Sequence, residues 1–192
     1  MKKIFLINRK TRETDVKVRI DLNERTNFIN INTKIPFFDH MLSQIPFHGC
    51  FSCEIKCEGD IDVDTHHSIE DVGIVIGKAL KKIFKERKTR RFCFFSAPMD
   101  ESLTKITLDI CNRPNFVFKT KNTKEKIKGV SLGNIKEFFK SVCFNSKTCI
   151  HIENYGDDFH HRVESMFKCF GLILRKALMI KKDKERSSTK DV

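Results

Sequence analysis

A seven-residue pattern occurs twice in this chain, opening Asp64-Thr65-His66-His67-Ser68-Ile69-Glu70-Asp71 and Asp158-Phe159-His160-His161-Arg162-Val163-Glu164-Ser165. Both copies read D-x-H-H-x-[IV]-E, and 94 residues separate them (66 to 160), close to half of the 192-residue chain. A repeat at that spacing constrains the fold, because each half must supply its own strands and helices. Four of the seven histidines lie in the two units. An imidazole with a carboxylate one helical turn further on presents two metal ligands from one helix face. Two such units point to a duplicated metal site, and with it to an enzyme.

The segments around the doublets repeat as well. Lys17-Val18-Arg19-Ile20-Asp21-Leu22 and Lys105-Ile106-Thr107-Leu108-Asp109-Ile110 both alternate like half-buried strands. Each is followed by a helical stretch (37–47 and 135–144), a further strand (51–57 and 148–153), and a loop with Gly59 or Gly156. The doublet then opens a long amphipathic helix, expected over 68–84 with Ile69, Val72, Ile76, Leu80 and Ile83 on one face, and over 163–180 with Met166, Phe167, Phe170, Leu174 and Leu178. The expected architecture is an α+β internal duplication: residues 1–90 form one half, 91–180 the other, and both belong to one compact unit. Residues 85–91 read as the connection, and 181–192 as a charged tail without periodicity.

Composition narrows the function classes. No apolar run is long enough to span a bilayer, and the start breaks too early for a signal peptide, so a soluble, cytoplasmic protein is expected. The net charge of +12 invites a nucleic-acid reading, but the basic residues are scattered and lysine-rich composition accounts for them. An anionic small substrate fits better than nucleic acid or membrane. The eight cysteines read as reduced thiols. Cys50-Phe51-Ser52-Cys53 spells C-x-x-C, yet Phe51, Cys53, Ile55 and Cys57 alternate with polar residues. On a strand Cys50 and Cys53 face opposite ways, which disfavours a shared metal.

At roughly 100° per residue, His66 and Glu70 share a helix face while His67 is turned away by about 100°; His160, Glu164 and His161 behave alike. Each doublet therefore suits two ions in different directions better than one. Adding His40 and His151 gives six imidazoles and two carboxylates, enough for three His and one Glu at each of two ions. Such a set with open positions suits an octahedral divalent ion, Mn²⁺ first. His48 alone reads as a hydrogen-bonded core residue. The doublet differs from the zincin H-E-x-x-H in having no Glu beside the first His to act as base.

At these residues the chain resembles the imidazoleglycerol-phosphate dehydratase family. The resemblance covers essentially the whole chain. Its most specific pieces are Pro36-Phe37-Phe38-Asp39-His40-Met41-Leu42-Ser43-Gln44, His48-Gly49, both H-H-x-x-E units, Ala97-Pro98-Met99-Asp100-Glu101 and Arg113-Pro114. It implies a duplicated four-stranded sheet with two helices packed on one face (the ribosomal protein S5 domain 2-like fold), and a homo-oligomeric particle of twenty-four chains whose sites form between subunits. It implies a lyase of histidine biosynthesis with two Mn²⁺ per subunit, held by His40, His66, His67, Glu70, His151, His160, His161 and Glu164.

The implied reaction dehydrates imidazole glycerol phosphate to imidazole acetol phosphate. The substrate ring, held through both nitrogens by two ions, would become an imidazolate and push out the adjacent hydroxyl; loss of a neighbouring C–H proton gives an enol that tautomerises. Glu164 or Glu70 would shuttle the proton, and Glu13, beside Thr14, would hold a substrate hydroxyl or act as acid/base. His40, His66, His67 and Glu70 would meet the substrate along with Gln44 and His48. Arg91, Arg113 and Lys168 match the family's phosphate-binding positions, and Ser188, Thr189 and Lys190 match a tail that closes over the phosphate.

Two departures stand out. The family's L-S-G-R-P is Ile110-Cys111-Asn112-Arg113-Pro114, and the tail has Ser187 for proline and Asp191 for glycine. Two other classes compete. A binuclear metallohydrolase would use more aspartate than this set contains, and an RNA-binding module would leave both doublets unexplained.

Overall fold

The computed structural model describes residues 3–23 and 26–179. The first half runs β1 (Ile4–Lys10), β2 (Thr14–Asp21), β3 (Ile29–Asn32), α1 (Pro36–Gly49), β4 (Ser52–Gly59) and α2 (His66–Glu86). The second repeats that order as β5 (Phe92–Met99), β6 (Ser102–Asp109), β7 (Asn115–Thr120), a ribbon of β8 (Lys126–Ile127) and β9 (Val130–Ser131), α3 (Leu132–Ser146), β10 (Cys149–Tyr155) and α4 (Phe159–Leu178). The two sheets have matching strand orders, β1-β2-β4-β3 and β5-β6-β10-β7, antiparallel except for the last pair of each. The duplicated four-stranded sheet is therefore present, and the β8-β9 ribbon is an addition the sequence did not announce.

The strands follow from alternation. Val16, Val18 and Ile20 in β2, and Cys53, Ile55 and Cys57 in β4, all face inward and are buried. Burial pushes the Cys53 thiol up to about 12, and Cys50, at the left-handed end of α1, is exposed. The C-x-x-C pair is thus split between the core and the surface.

The helices lie between the sheets. α2 packs on β1 and β2, α4 on β5 and β6, and the halves meet where α2 crosses α3 and α1 crosses α4. Phe38 of α1, Phe138 of α3 and Phe167 of α4 interlock there, with ring centroids 5.1–6.3 Å apart. No helix among the described residues is long and apolar enough to cross a membrane.

α2 and α4 start earlier than periodicity predicts, at His66 and Phe159, because carboxylates take up the free N–H groups of their first turns. Asp64 accepts from the His66 N–H at 2.7 Å, and Asp158 from the His161 N–H at 2.9 Å. The doublets therefore lie inside the first helical turn. α2 also continues through Glu86, so the connection to the second half begins at 87.

Candidate metal centre

The contact between α1 and α4 brings three predicted ligands together. Phe37 stacks on Phe159 and meets the edge of His160, which seats the first turn of α4 against α1. His40 and His160 then lie with ring centroids 5.5 Å apart. Glu164, one turn after His160 and 7% exposed, turns its carboxylate between them. Its Oε2 is 3.0 Å from His160 Nε2 and 3.6 Å from His40 Nε2, while Oε1 accepts from Lys168 Nζ at 2.8 Å. Burial pushes the Glu164 carboxyl up, but the Lys168 ammonium, His160 and His40 outweigh it, and the net shift is downward. An ionised carboxylate faces two imidazole nitrogens.

Among the described residues, His40, His160 and Glu164 are the one group of three whose ligating atoms lie within 4.8 Å of one another. Two imidazole nitrogens and an anionic oxygen at that spacing fit a divalent ion. His48, two turns along α1, is half-buried; burial and the Lys168 charge lower its pKa, with Glu164 opposing. Gln44 Nε2 lies 3.4 Å from the His40 carbonyl oxygen.

The first doublet is built differently. His66 Nε2 lies 3.3 Å from Glu70 Oε2, with both side chains about half exposed at 44% and 40%. His67 turns away, as its helical position requires. Its Nδ1 lies 3.0–3.1 Å from the two Asp60 oxygens, and its Nε2 is 3.9 Å from Glu13 Oε1. In the second half His161 Nδ1 is 2.8 Å from Glu101 Oε2, and Nε2 is 3.6 Å from Asp100 Oδ2. The hydrogen bonds to Asp60 and Glu101 raise the pKa of His67 and His161, and His161 with two further donors holds the Glu101 carboxyl down at about 2.

His151 does not join either group within the chain. It is exposed on the outer face of the second sheet, in the row Phe94, Thr107, His151, Val117 across four strands. The repeat explains why neither His40 nor His151 has a twin. Counting back from the left-handed residues that end α1 and α3, Cys50 and Lys147, Glu137 stands where the second half would place a His40. In strand register, Glu54 opposite Arg19 takes the place that His151 opposite Thr107 takes in the second half.

The phosphate candidates are dispersed. Arg91 donates to Asp109 through Nε at 2.8 Å and Nη2 at 3.4 Å and stacks on Phe92 at 4.7 Å. Arg113 is exposed in the loop after β6, and Lys168 is committed to Glu164. Asn112 has φ of 59°, the left-handed region that asparagine enters more readily than other residues with a Cβ. Asn112→Val is expected to lower stability by about 1–2 kcal/mol, read as a drop in unfolding midpoint, and Asn112→Gly to leave it near wild type. Ser188, Thr189 and Lys190 lie outside the described residues.

Three contributors were missed from sequence: Asp60, Asp100 and Glu101. The repeat held one signal. Glu13 immediately precedes β2 and Glu101 immediately precedes β6, so Glu101 is the twin of the already suspected Glu13.

Comparison with known proteins agrees with this geometry. The family model for imidazoleglycerol-phosphate dehydratase matches residues 33–174. The imidazoleglycerol-phosphate dehydratase of Clostridium kluyveri is 44% identical over 176 residues, covering 91% of this chain and 90% of that one. The crystal structure of the Staphylococcus aureus enzyme of that name superposes with a TM-score of 0.82 at 33% identity, covering 93% of this chain and 99% of its own. That of Pyrococcus furiosus, in complex with (S)-C348, gives 0.79 at 32% identity and covers 96% and 98%. A family match across most of the chain, a relative at this identity and a duplicated sheet with its paired doublets together place the chain in the imidazoleglycerol-phosphate dehydratase family.

Proposed function

We propose that the chain dehydrates imidazole glycerol phosphate to imidazole acetol phosphate, a lyase step of histidine biosynthesis, at a centre for two Mn²⁺ per subunit. The observation that carries this reading is the His40–His160–Glu164 cluster: one anionic oxygen shared between two imidazole nitrogens. When bound, the ions would supply Lewis acidity to the substrate ring and a template for it. His160, Glu164 and His40 would hold one ion, and His66 with Glu70 the other, with His67 and His161 reaching across.

The chain's own groups must then manage one C–O cleavage and one proton removal. The hydroxyl leaves with the electron pair of its C–O bond and takes up a proton from the site to depart as water, and the proton later taken from carbon restores the site. The neighbouring carbon gives up its proton, and the enol collapses to the ketone. Glu70 is half exposed beside His66 and suits that proton transfer, with Glu164 as the alternative. Glu13, exposed and 3.9 Å from His67, suits a substrate hydroxyl. Arg113 and Arg91 would take the phosphate, joined by Lys168 and by Ser188, Thr189 and Lys190 of the tail.

The outward placement of His151 supports assembly. A ligand exposed in the same cross-strand row as Phe94, itself 52% exposed, is available to a neighbouring subunit, as a particle of twenty-four chains in the cytoplasm would require. The metallohydrolase and RNA-binding readings are not favoured by family membership. The test incubates the chain with imidazole glycerol phosphate and Mn²⁺ and follows imidazole acetol phosphate. Product that a chelator abolishes and Mn²⁺ restores is expected; Mn²⁺-loaded protein that forms none would overturn the assignment.

A further inference from the structure

The two halves treat their second histidines alike through different residues. His161 Nδ1 meets Glu101, which precedes β6, while His67 Nδ1 meets Asp60, which follows β4. We propose that Glu101 and Asp60 are positioning residues: each accepts the Nδ1–H of its histidine, so that His161 and His67 present a bare Nε2 lone pair to an ion. This rests on the metal reading above.

The geometry is specific at Glu101. Its Oε1 accepts the Asp158 N–H at 3.0 Å and the Ser102 hydroxyl at 2.8 Å, and its Oε2 lies against His161. One carboxylate thus ties the β5–β6 turn to the start of α4 and fixes the tautomer of the imidazole that the helix carries. An outer carboxylate of this kind orients a ligating histidine and raises its basicity. Among the described residues the Asp60 carboxylate is hydrogen-bonded to His67 alone, with both oxygens within 3.1 Å. Glu13, the twin of Glu101, is thereby left free of Nδ1 and is turned toward the Nε2 side of His67. The two halves thus place equivalent glutamates differently: Glu101 lies at the Nδ1 of its histidine and Glu13 on the Nε2 side of its own.

Glu101→Gln separates the two oxygens. Its amide oxygen stays on the Asp158 and Ser102 donors, which leaves an NH₂ group facing His161. That group donates, so it selects the tautomer with bare Nδ1 and protonated Nε2, which cannot ligate through Nε2. Asp60→Asn has no second donor to satisfy and can turn its oxygen onto His67, whereas Asp60→Ala removes the acceptor.

The full chain, stripped of metal and titrated with Mn²⁺ while free ion is read by electron paramagnetic resonance, provides the test. Wild-type protein that binds no Mn²⁺ would overturn the metal reading and this proposal with it. With wild-type binding established, Glu101→Gln and Asp60→Ala are each expected to weaken Mn²⁺ affinity about 10–100-fold, and Asp60→Asn less. The metal-free unfolding midpoint should stay near that of wild type. In ¹⁵N-histidine-labelled Glu101→Gln the His161 signal should move from the Nδ1–H to the Nε2–H tautomer. Wild-type affinity in both Glu101→Gln and Asp60→Ala, or an unchanged His161 tautomer, would overturn the positioning role while leaving the metal reading intact.

Discussion

Glu164→Gln is expected to lower turnover about 10²–10⁴-fold and to remove one bound Mn²⁺ per chain in metal analysis. The carboxylate serves two opposed demands: Oε1 takes the Lys168 ammonium at 2.8 Å, and Oε2 faces His160 and His40 at 3.0 and 3.6 Å. An amide meets only one of them. With its oxygen on Lys168, the NH₂ group points at the imidazole nitrogens where an ion would sit; reversed, it meets a cation. Either way the site loses its anionic oxygen, and Lys168 loses the partner that neutralises it in a half-buried setting. Glu13→Gln provides the contrast, because its side chain is 56% exposed and lies 3.9 Å from His67 without closing a ligand cluster. Turnover should fall there with both ions retained. Wild-type turnover in the Glu13 variant would remove it from the reaction, and full metal content in the Glu164 variant would remove Glu164 from the ligand set.

Sequence periodicity went far toward this site because its densest part is local. His160 and Glu164, like His66 and Glu70, are one turn apart on one helix, and their pairing follows from helical geometry before any tertiary contact forms. The same geometry turned His67 and His161 away from those pairs, toward Asp60 and Glu101. The long-range partners carry no such periodic signal. His40 reaches the second doublet only through the α1–α4 crossing. Asp60 and Glu101 act from loops whose position depends on sheet register. β3 was invisible for a related reason: four residues with no fully buried side chain pair with β4 only because α1 returns the chain to that edge. The repeat also misleads where function diverged, since Glu137 and Glu54 occupy the places of a second His40 and a second His151.

Gly171→Ala is expected to cost about 1–3 kcal/mol of stability, a fall in unfolding midpoint of about 2–4 °C for each kcal/mol at this chain length, and to weaken Mn²⁺ binding as well. A Cβ at 171 would lie 2.6 Å from the Ile45 carbonyl oxygen, 3.0 Å from that of Gln44 and 3.1 Å from His48 Cβ. The contacts at 2.6 and 3.0 Å are to the backbone of α1, so a small side-chain rotation does not relieve them and the two helices must part. Their separation sets how closely His40 approaches Glu164. Gly77 is the matching position in the first half, 94 residues earlier like the doublets themselves (77 to 171), and a Cβ there would lie 2.7 Å from the Val142 carbonyl oxygen of α3. Gly77→Ala should therefore destabilise the fold by a similar amount. It parts α2 from α3, however, and leaves the α1–α4 contact alone; His66 and Glu70 share one helix and keep their spacing. Thermal melts should move together in the two variants, while Mn²⁺ affinity should fall only for Gly171→Ala. Equal affinities would mean that helix separation does not govern the His40–His160–Glu164 cluster.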